Sequence, residues 1–440
     1  MIPADQLSRW ASTLVAYSLD VDAGDLVQVQ YAEPAKPLAQ AVYKELLKAG
    51  AYPVLDHDDA TFSRLFYDHA DEDQLTHIPE YQHQKVEELD ASLRIRAPTN
   101  TKELSGTDPK KLQTATKARA ELKDEIIENT TWSLTQYPTE ALAQEAEMGT
   151  QEYRQYAVDA CVKDWEQEAK RYRDLKTIVD AGSTVRITGK ETDLTFEIGE
   201  RENINRIGVL SDGTSNVPGG EVFTAPIKET LEGKIHFELP AIRQGNEVIG
   251  VTLWFENGEV TEFSAEKNEQ LLAESLDTDE GASFVGEFGI GTNFAIDRFT
   301  KNILLDEKIG GTVHLALGSA YRDCYSRQID LDVDGVEKGQ LQDQYQAFQQ
   351  ALRDGEFEQF VETSDIDRSV WEQLRDRWDE LEETEDQQYN ESSVHWDMIK
   401  DLREQGALII DGETIMKDGR FVGVPSLLSA QEEIEDSGSE

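Results

Sequence analysis

Residues 25–56, DLVQVQYAEPAKPLAQAVYKELLKAGAYPVLD, decide the fold of the first half of the chain. Residues 25–31 alternate apolar and polar side chains, which is typical of a strand. Residues 37–49 repeat apolar side chains at helical spacing, and residues 51–56 form a second, short strand-like run. A strand, a helix and a strand in this order predict a β-α-β unit, and therefore a sheet that is at least partly parallel.

Further helix and strand signals extend this pattern in both directions. Residues 7–19 have a helical period, residues 91–98 predict a strand, and residues 110–128 predict a helix after a turn-rich segment. Residues 151–181 predict a longer helix. We therefore predict an N-terminal α/β domain with a partly parallel sheet over residues 1–180.

The second half of the chain consists of short alternating runs, such as TVRITGK and DLTFEIGE, separated by turn residues. Asn257-Gly258 predicts a hairpin, because a two-residue type I′ turn needs positive φ at both central positions. Residues 325–391 interrupt the strands with a Gln-, Asp- and Glu-rich stretch of helical spacing. We predict a strand-rich α+β C-terminal domain over residues 181–440, in which residues 325–391 are an acidic helical insertion.

The chain is strongly acidic. Its 440 residues include 89 Asp and Glu against 42 Lys and Arg, which gives a formal net charge of −47. Such a charge makes nucleic acid a poor partner and opposes compaction through self-repulsion. At 1 M salt the Debye length falls to about 3 Å, so exposed carboxylates on neighbouring turns are screened from one another. We interpret the acidity as adaptation to high salt.

The cysteines and the N-terminal residues indicate the compartment. Cys161 and Cys324 are too few for a disulfide framework and too far apart for a C-x-x-C site, which fits a reducing environment. The N-terminal segment has neither a basic region nor an unbroken apolar core, and no later stretch approaches 18 apolar residues. We expect a cytoplasmic protein that is neither exported nor inserted into a membrane.

Two groups of histidines are candidates for metal binding. His57, His69, His77 and His83 lie close together in the sequence, but they follow no regular ligand spacing on a predicted helix or strand pair. We interpret these four as solvated surface residues. The candidates in the second half of the chain lie instead within apolar strands bounded by glycine, where a charge is costly unless it is paired or bound to a metal.

Strand alternation orients those candidates. In GTVHLALG it puts Thr312, His314 and Ala316 on one face, so the imidazole faces small side chains. In SSVHWDMI the H-x-D spacing puts His395 and Asp397 on one face if the segment is extended, whereas on a helix they would diverge.

Two glutamates complete a possible ligand set. Glu221 in PGGEVFTAP and Glu287 in GEFGIGTN are each flanked by glycines, which permit close backbone approach. Two Glu, two His and one Asp provide oxygen and nitrogen ligands that suit a pair of divalent ions. A single histidine in a strand is also common as an ordinary core residue, so spacing alone leaves both interpretations open.

Many segments of the chain, in the same order, resemble the aminopeptidase T family of metallopeptidases, which includes aminopeptidase S. The resemblance covers nearly the whole chain. In the first half it is carried by ELLKAGAYPV, RIRAPTNTKELSGTDPKKL and TTWSLTQYPTEALAQEAEM, and in the second half by NVPGGEVFTAP, GEFGIGTN, LLDEKIGGTVHLALGSAY, SSVHWDMIKDL and DGETIMKDGRFVG.

The resemblance implies a dinuclear exopeptidase with a catalytic Tyr321, whose phenol would donate to the oxyanion of the intermediate. Glu287 and Asp397 are both candidates for a carboxylate shared by the two ions. We interpret Glu307 as a solvated charge at a strand end, with a base or a residue that supports the metal ligands as the alternative. The ions are expected to be Zn, Co or Mn, with Mg also possible. The implied metal ligands are Glu221, Glu287, His314, His395 and Asp397.

The implied function is hydrolysis of N-terminal residues from short peptides by a homodimer whose active sites face an internal cavity. A metal-dependent amidase acting on another small amide, or a non-catalytic metal-binding protein, are the alternatives. The segment 322–391 is longer than the connection usual in the family. We interpret it as a surface elaboration, with a lid that limits substrate length or contacts with another subunit as the alternatives.

Overall fold

The computed structural model describes residues 2–199, 209–243, 245–321, 324, 344, 348, 351–352, 357–364, 366–382 and 389–437. The strands are β1 Leu26–Ala32, β2 Tyr52–Asp58, β3 Ala91–Arg96, β4 Thr131–Gln136, β5 Thr184–Gly189, β6 Thr192–Glu197, β7 Val209–Ser211, β8 Asn216–Val217, β9 Glu221–Thr224, β10 Glu232–His236, β11 Ala241–Arg243, β12 Asn246–Val248, β13 Thr252–Glu256, β14 Glu259–Ser264, β15 Val285–Gly291, β16 Thr312–Gly318, β17 His395–Asp401, β18 Ala407–Ile410 and β19 Glu413–Lys417.

The helices lie mainly in the first half of the chain. A π-helical turn, Leu14–Ser18, continues the first helix, and a 3-10 turn, Glu33–Ala35, precedes the second. The α-helices are α1 Ala4–Thr13, α2 Lys36–Ala49, α3 Ala60–His69, α4 Glu72–Thr76, α5 Glu80–Glu87, α6 Pro109–Ala118, α7 Ala120–Asn129, α8 Glu140–Glu145, α9 Thr150–Cys161, α10 Trp165–Ala181, α11 Glu269–Leu276, α12 Ile303–Asp306, α13 Phe357–Thr363, α14 Arg368–Glu382 and α15 Pro425–Ser437.

The N-terminal sheet has the strand order β2-β1-β3-β4-β8, and its described pairs are parallel. Strand β1, helix α2 and strand β2 form the predicted β-α-β unit. Val27 and Val29 of β1 are fully buried against Leu38 and Val42 of α2, because the apolar positions of the strand and of the helix face each other. The predicted partly parallel α/β domain is confirmed.

Two predicted long helices are each interrupted. Residues 151–181 form α9 and α10, because Asp164 caps a new helix by accepting a hydrogen bond from the Gln167 backbone N–H at 3.1 Å. Residues 110–128 fall into α6 and α7, which meet at Arg119. An apolar repeat alone does not reveal a break of one to three residues, which explains both differences.

Two large antiparallel sheets in the described part of the C-terminal half share one core, and β11 pairs with β12 in a separate two-stranded sheet. The larger sheet has the order β14-β13-β10-β6-β5-β18-β19, and the smaller one has the order β17-β16-β15-β9-β7. Asn257 and Gly258 have φ values of 50° and 81°, so the hairpin between β13 and β14 has the predicted turn conformation. Phe196 of the larger sheet and Phe288 of the smaller one pack edge to face with ring centroids 5.1 Å apart in the common core. The predicted strand-rich C-terminal region is confirmed.

The domain boundary at residue 180 stays a prediction. Strand β8 lies beyond that boundary in the sequence but pairs in parallel with β4, so the chain returns to the N-terminal sheet before it enters β9. Helices α13 and α14 lie within the predicted insertion 325–391 and share a small core of their own around Trp371, whose side chain is fully buried. Much of that insertion lies outside the described residues. Among the described helices, none is both long enough and apolar enough to cross a membrane.

Candidate metal centre

The smaller antiparallel sheet carries the five candidate metal ligands on one face. Cross-strand pairing aligns Glu287 of β15 with Ala316 of β16, and Ala316 with Asp397 of β17. His314 lies two residues before Ala316 and His395 two residues before Asp397, so strand alternation directs both imidazoles to the same face. Glu221 opens β9 opposite Gly291 of β15, on that face as well.

Small residues leave room for this cluster. His314 pairs with Gly289, and a Cβ atom at residue 289 would lie 2.1 Å from Cε1 and Nε2 of the imidazole. The His314 ring therefore lies directly over the glycine, which no larger residue would permit. Ala316, also fully buried, separates Glu287 from Asp397 without filling the space above them.

The H-x-D segment is extended. His395 and Asp397 lie in β17, and Val394, Trp396 and Met398 point into the common core on the other side. His395 and Asp397 therefore share one face of the strand, because the apolar side chains alternate with the two ligand candidates.

The ligand atoms form two overlapping groups, Glu221 with Glu287 and His314, and Glu287 with His395 and Asp397. Within each group one ligand atom per residue lies within 4.8 Å of the others. In the first group, His314 Nε2 lies 3.1 Å from Glu287 Oε1 and 3.5 Å from Glu221 Oε2. In the second group, His395 Nε2 lies 3.9 Å from Glu287 Oε2 and 3.6 Å from Asp397 Oδ1. Glu287 thus presents one oxygen to each group.

The clustered carboxylates raise the pKa values of both candidate histidine ligands. Burial lowers the pKa of His314, but the hydrogen bond to Glu287 and the charge of Glu221 outweigh this effect and raise the pKa to about 9. For His395, burial is likewise outweighed by Asp397 and Glu287, and the pKa rises to about 10. Both imidazoles therefore favour the cationic form. Their positive charges compensate the same carboxylates that bound divalent ions would neutralise.

Several carboxylate oxygens of the cluster lack a hydrogen bond. Glu221 Oε2, Glu287 Oε2 and Asp397 Oδ1 are buried and have no hydrogen-bond partner among the described residues. An unsatisfied carboxylate oxygen in the protein interior is costly unless a cation compensates it. The donor set, its burial and these unpartnered oxygens fit divalent metal ions bound by oxygen and nitrogen.

Lys308 is a buried cation that the sequence analysis missed. Its side chain is 0% exposed, its Nζ lies 3.1 Å from Glu221 Oε1, and it also pairs with Glu307. Glu307 is 16% exposed, so its interpretation as a solvated charge at a strand end is wrong. Burial raises the pKa of Glu307 to about 8, although Lys308 opposes this shift. The sequence signal was an adjacent acid and base shortly before a largely apolar strand.

Tyr321 lies at the edge of the cluster. Its side chain is 50% exposed, and its ring centroid is 4.7 Å from that of His395 and 5.9 Å from that of Phe223. Partial desolvation beside the cluster and the charges of Glu287 and Asp397 raise the pKa of the phenol above its ordinary value. The phenol is therefore protonated at neutral pH and able to donate a hydrogen bond.

The predicted insertion begins and ends beside this cluster. The Ala320 backbone N–H donates to the Asn390 carbonyl at 2.8 Å, so Tyr321 and the residues before His395 lie side by side. The intervening segment is therefore anchored at both ends next to the candidate ligands. The N-terminal histidines lie elsewhere: His57, His69 and His77 are exposed, His83 is half-buried, and none belongs to a metal-compatible group within the described part of the chain.

Comparison with known proteins identifies the family. The family model of thermophilic metalloprotease (M29) matches residues 4–343. Aminopeptidase 2 of Geobacillus stearothermophilus is 27% identical over 349 residues, which cover 72% of this chain and 84% of the relative. Aminopeptidase T of Thermus aquaticus is 38% identical over 114 residues, which cover 24% of this chain and 27% of the relative.

Solved structures share the fold. Wild-type AmpT from Thermus thermophilus superimposes with a TM-score of 0.70 at 22% identity, over 95% of this chain and 99% of that protein. A 2,5-dihydroxypyridine dioxygenase from Pseudomonas putida KT2440 has a TM-score of 0.51 at 12% identity, over 97% of this chain and 100% of that enzyme. The fold alone is therefore compatible with more than one reaction, whereas the match to the family model is specific. The chain belongs to the thermophilic metalloprotease (M29) family, and it is a metal-dependent aminopeptidase that acts on peptides.

Proposed function

We propose that this aminopeptidase uses two divalent ions to remove N-terminal residues from short peptides. The observation that carries the proposal is the position of Glu287, which offers Oε1 to the group containing His314 and Oε2 to the group containing His395. A carboxylate between two ligand groups suits a pair of ions that share it. Asp397, the other candidate for the shared carboxylate, belongs to one group only, so we assign that role to Glu287.

The proposed ligands of one ion are Glu221, Glu287 and His314, and those of the other are Glu287, His395 and Asp397. Divalent ions bound there would supply Lewis acidity, which polarises a scissile carbonyl and lowers the pKa of a water molecule. Mixed carboxylate and imidazole ligation suits Zn, Co or Mn, with Mg also compatible.

Tyr321 is the proposed catalytic residue. Its protonated phenol lies beside His395 and is half-exposed, so it is accessible to a peptide bound at the cluster. A hydrogen bond from the phenol to the developing oxyanion would stabilise the transition state more than the ground state, because negative charge grows on that oxygen during attack. Removal of one such donor commonly costs about 3–4 kcal/mol of transition-state stabilisation.

Lys308 and Glu307 shape the charge of the first group. The Lys308 ammonium pairs with Oε1 of Glu221, which leaves Oε2 directed at the ligand cluster. The Glu307 carboxyl pairs with the same buried ammonium. The lysine thereby limits the negative charge of this group and holds the Glu221 carboxylate in one orientation.

A preference for short peptides, a homodimer and a cytoplasmic location stay predictions. They follow from the family resemblance and from the composition of the chain. Size-exclusion chromatography with light scattering in concentrated salt measures the oligomeric state directly.

The test is metal removal and replacement. The purified protein is treated with a chelator, single divalent ions are added back in molar salt, and the release of free amino acids from short peptides is measured. We expect activity to return at about two ions per chain. Glu287→Gln and His395→Ala should each abolish turnover while the far-ultraviolet circular dichroism stays unchanged. His57→Ala is the matched control, since His57 is an exposed histidine in β2, and it should retain full activity.

Two outcomes would contradict this proposal. Near-normal turnover by either ligand variant with stoichiometric metal would show that the site is assigned wrongly. Equal hydrolysis of peptides with free and N-acetylated amino termini would indicate a more general amidase, because only an aminopeptidase requires the free amine.

A further inference from the structure

Asn390 is a buried side chain that joins three segments around the candidate metal centre. It is 1% exposed. Its Nδ2 group donates to the Gly318 carbonyl at 2.6 Å and to the Gly281 carbonyl at 2.7 Å. Its own backbone carbonyl accepts a hydrogen bond from the Ala320 N–H at 2.8 Å. Buried polar groups are almost always hydrogen-bonded, and here the bonds connect the end of β16, the loop before β15 and the residues that lead into β17.

The segment from Gly318 to Tyr321 depends on these contacts. Gly318 has a φ of 99°, and a Cβ atom there would lie 2.0 Å from the Val394 carbonyl oxygen. The Ser319 N–H donates to the same carbonyl at 2.7 Å. Residues 318–320 thus run close beside residues 390–394 up to Tyr321. The position of the phenol therefore depends on the backbone that the Asn390 hydrogen bonds fix.

The orientation of His395 depends on the same segment. His395 Nδ1 lies 2.9 Å from the Ser319 carbonyl oxygen, which can only accept a hydrogen bond. Nδ1 therefore carries a proton, and Nε2 is directed at Glu287 and Asp397. An outer hydrogen bond of this kind fixes the tautomer and the ring orientation of a metal-binding histidine. His314 has no such partner for Nδ1 among the described residues, and its ring packs over Gly289 instead.

Asp279 forms hydrogen bonds with residues 392 and 393, within the segment that contains Asn390. It accepts hydrogen bonds from Ser392 Oγ at 2.6 Å, from the Ser393 N–H at 2.8 Å and from Ser393 Oγ at 2.6 Å. It also accepts from the Gly281 N–H at 3.1 Å. Residues 390–394 thus lie between two fixed segments, and the amide of Asn390 bonds to both.

We propose that Asn390 is a positioning residue, which acts through the Ser319 carbonyl to hold His395 Nε2 towards the group formed with Glu287 and Asp397, and which sets the path to Tyr321. This inference rests on the proposed function, because it assigns His395 to a metal ion. Asn390 itself contacts none of the reacting atoms. The chemistry that it supports is imidazole ligation of one divalent ion out of two.

The test combines metal titration with an NMR measurement on the zinc-loaded protein. In Asn390→Ala, we expect the affinity for one ion to fall about 10- to 100-fold, the range typical of lost outer hydrogen bonds, while the other ion binds as in the wild type. Isothermal titration with Mn²⁺ or Zn²⁺ measures both affinities. We expect kcat to fall by a larger factor than KM changes, because the substrate still contacts the unaltered group around His314.

A second variant and a control keep the test decisive. Asn390→Asp preserves the shape of the side chain but removes its two donors, and it is used if the alanine variant does not fold. Asn268→Ala removes a single hydrogen bond to the Glu247 carbonyl and should bind both ions normally. In the zinc-loaded wild type, nitrogen-15 NMR should show the single His395 ring proton on Nδ1, with Nε2 bound to the metal.

The outcomes separate the inference from the function on which it rests. If the Asn390 variants bind both ions with wild-type affinity and lose only thermal stability, the residue is merely structural and the inference is wrong. A His395 proton absent from Nδ1 would also overturn it. If the wild type binds no divalent ion and releases no amino acid, the proposed function itself is wrong.

Discussion

Among single residues, Gly289 gives the sharpest steric prediction. In Gly289→Ala the new methyl group would lie 2.1 Å from the His314 ring, so the imidazole must leave its position. We expect the affinity of the group containing Glu221 and His314 to fall by about 10- to 100-fold. Isothermal titration with Zn²⁺ or Mn²⁺ measures this loss.

The control for Gly289 is a glycine with space around it. A Cβ atom at Gly149 would be 3.9 Å from the nearest side-chain oxygen, so Gly149→Ala should bind metal as the wild type does. If Gly289→Ala also binds two ions normally, the His314 ring does not lie where the cross-strand pairing places it.

Lys308 gives a second prediction for a single residue. Lys308→Met removes the cation that pairs with both Glu221 and Glu307, so both carboxyl groups lose their buried ammonium partner. Breaking a buried pair in this way typically lowers the free energy of unfolding by about 3–5 kcal/mol. Urea denaturation of the metal-free protein measures the change.

Lys48→Met is the matched surface control. Lys48 pairs with Glu45 on α2, and its side chain is 56% exposed. The loss of an exposed pair should change the free energy of unfolding by less than about 1 kcal/mol. Equal effects of the two substitutions would contradict the buried position of Lys308.

Individual elements show how far sequence reasoning extends. Period-two alternation predicted that His314 faces small residues and that His395 and Asp397 share a face, because this property is local to one strand. The contact of Lys308 with Glu221 depends on the alignment of distant strands, which no local pattern contains. The bonds from Asn390 to Gly281 and Gly318 depend on it too. The break between α9 and α10 was missed because a capping aspartate in an acidic chain is not distinctive.

The loop before β15 carries a pH-dependent contribution to stability. Burial alone would raise the pKa of Asp279, but hydrogen bonds from Ser392 and Ser393 lower it to about 2, below the ordinary value of about 3.9. A lowered pKa stabilises the folded state above the unfolded value, and the contribution is lost as the pH falls from about 4 to about 2.

Thermal unfolding of Asp279→Asn and the wild type measures this contribution. The difference in melting temperature should be largest near neutral pH and should shrink as the pH falls through that window. A difference that is constant with pH would show that the aspartate acts through shape and not through its charge.

The segment between Tyr321 and Asn390 is the element that we expect to influence substrate length. Its two ends are joined by the Ala320 to Asn390 hydrogen bond, so deletion of residues 330–388 should leave the metal centre intact. We expect the shortened protein to bind two ions and to differ in the ratio of kcat/KM for long and short peptides. An unchanged ratio would reject a lid.

The charge of the whole molecule determines its response to salt. With a net charge of −47, self-repulsion should destabilise the folded state at low ionic strength. Raising the salt from 0.1 to 1 M shortens the Debye length from about 10 to 3 Å, so the melting temperature should rise steeply over this range. Thermal scans in KCl measure the effect. A melting temperature independent of salt would contradict the interpretation as salt adaptation.

The fold class of the whole molecule could be predicted from alternation and from the β-α-β unit at residues 25–56. The return of the chain to the N-terminal sheet at β8 could not, since two residues carry no recognisable strand pattern. This return matters for the site, because β8 leads through Gly219 and Gly220 directly to Glu221. The first half of the chain thereby helps to fix the first ligand candidate of the second half.

The most direct test of the central claim is anomalous diffraction from crystals soaked in Mn²⁺ or Zn²⁺. The account predicts two peaks per chain on the ligand-bearing face of the smaller sheet, about 3.5–4 Å apart, with the Glu287 carboxylate between them. A single peak, or two peaks remote from Glu287, would contradict it.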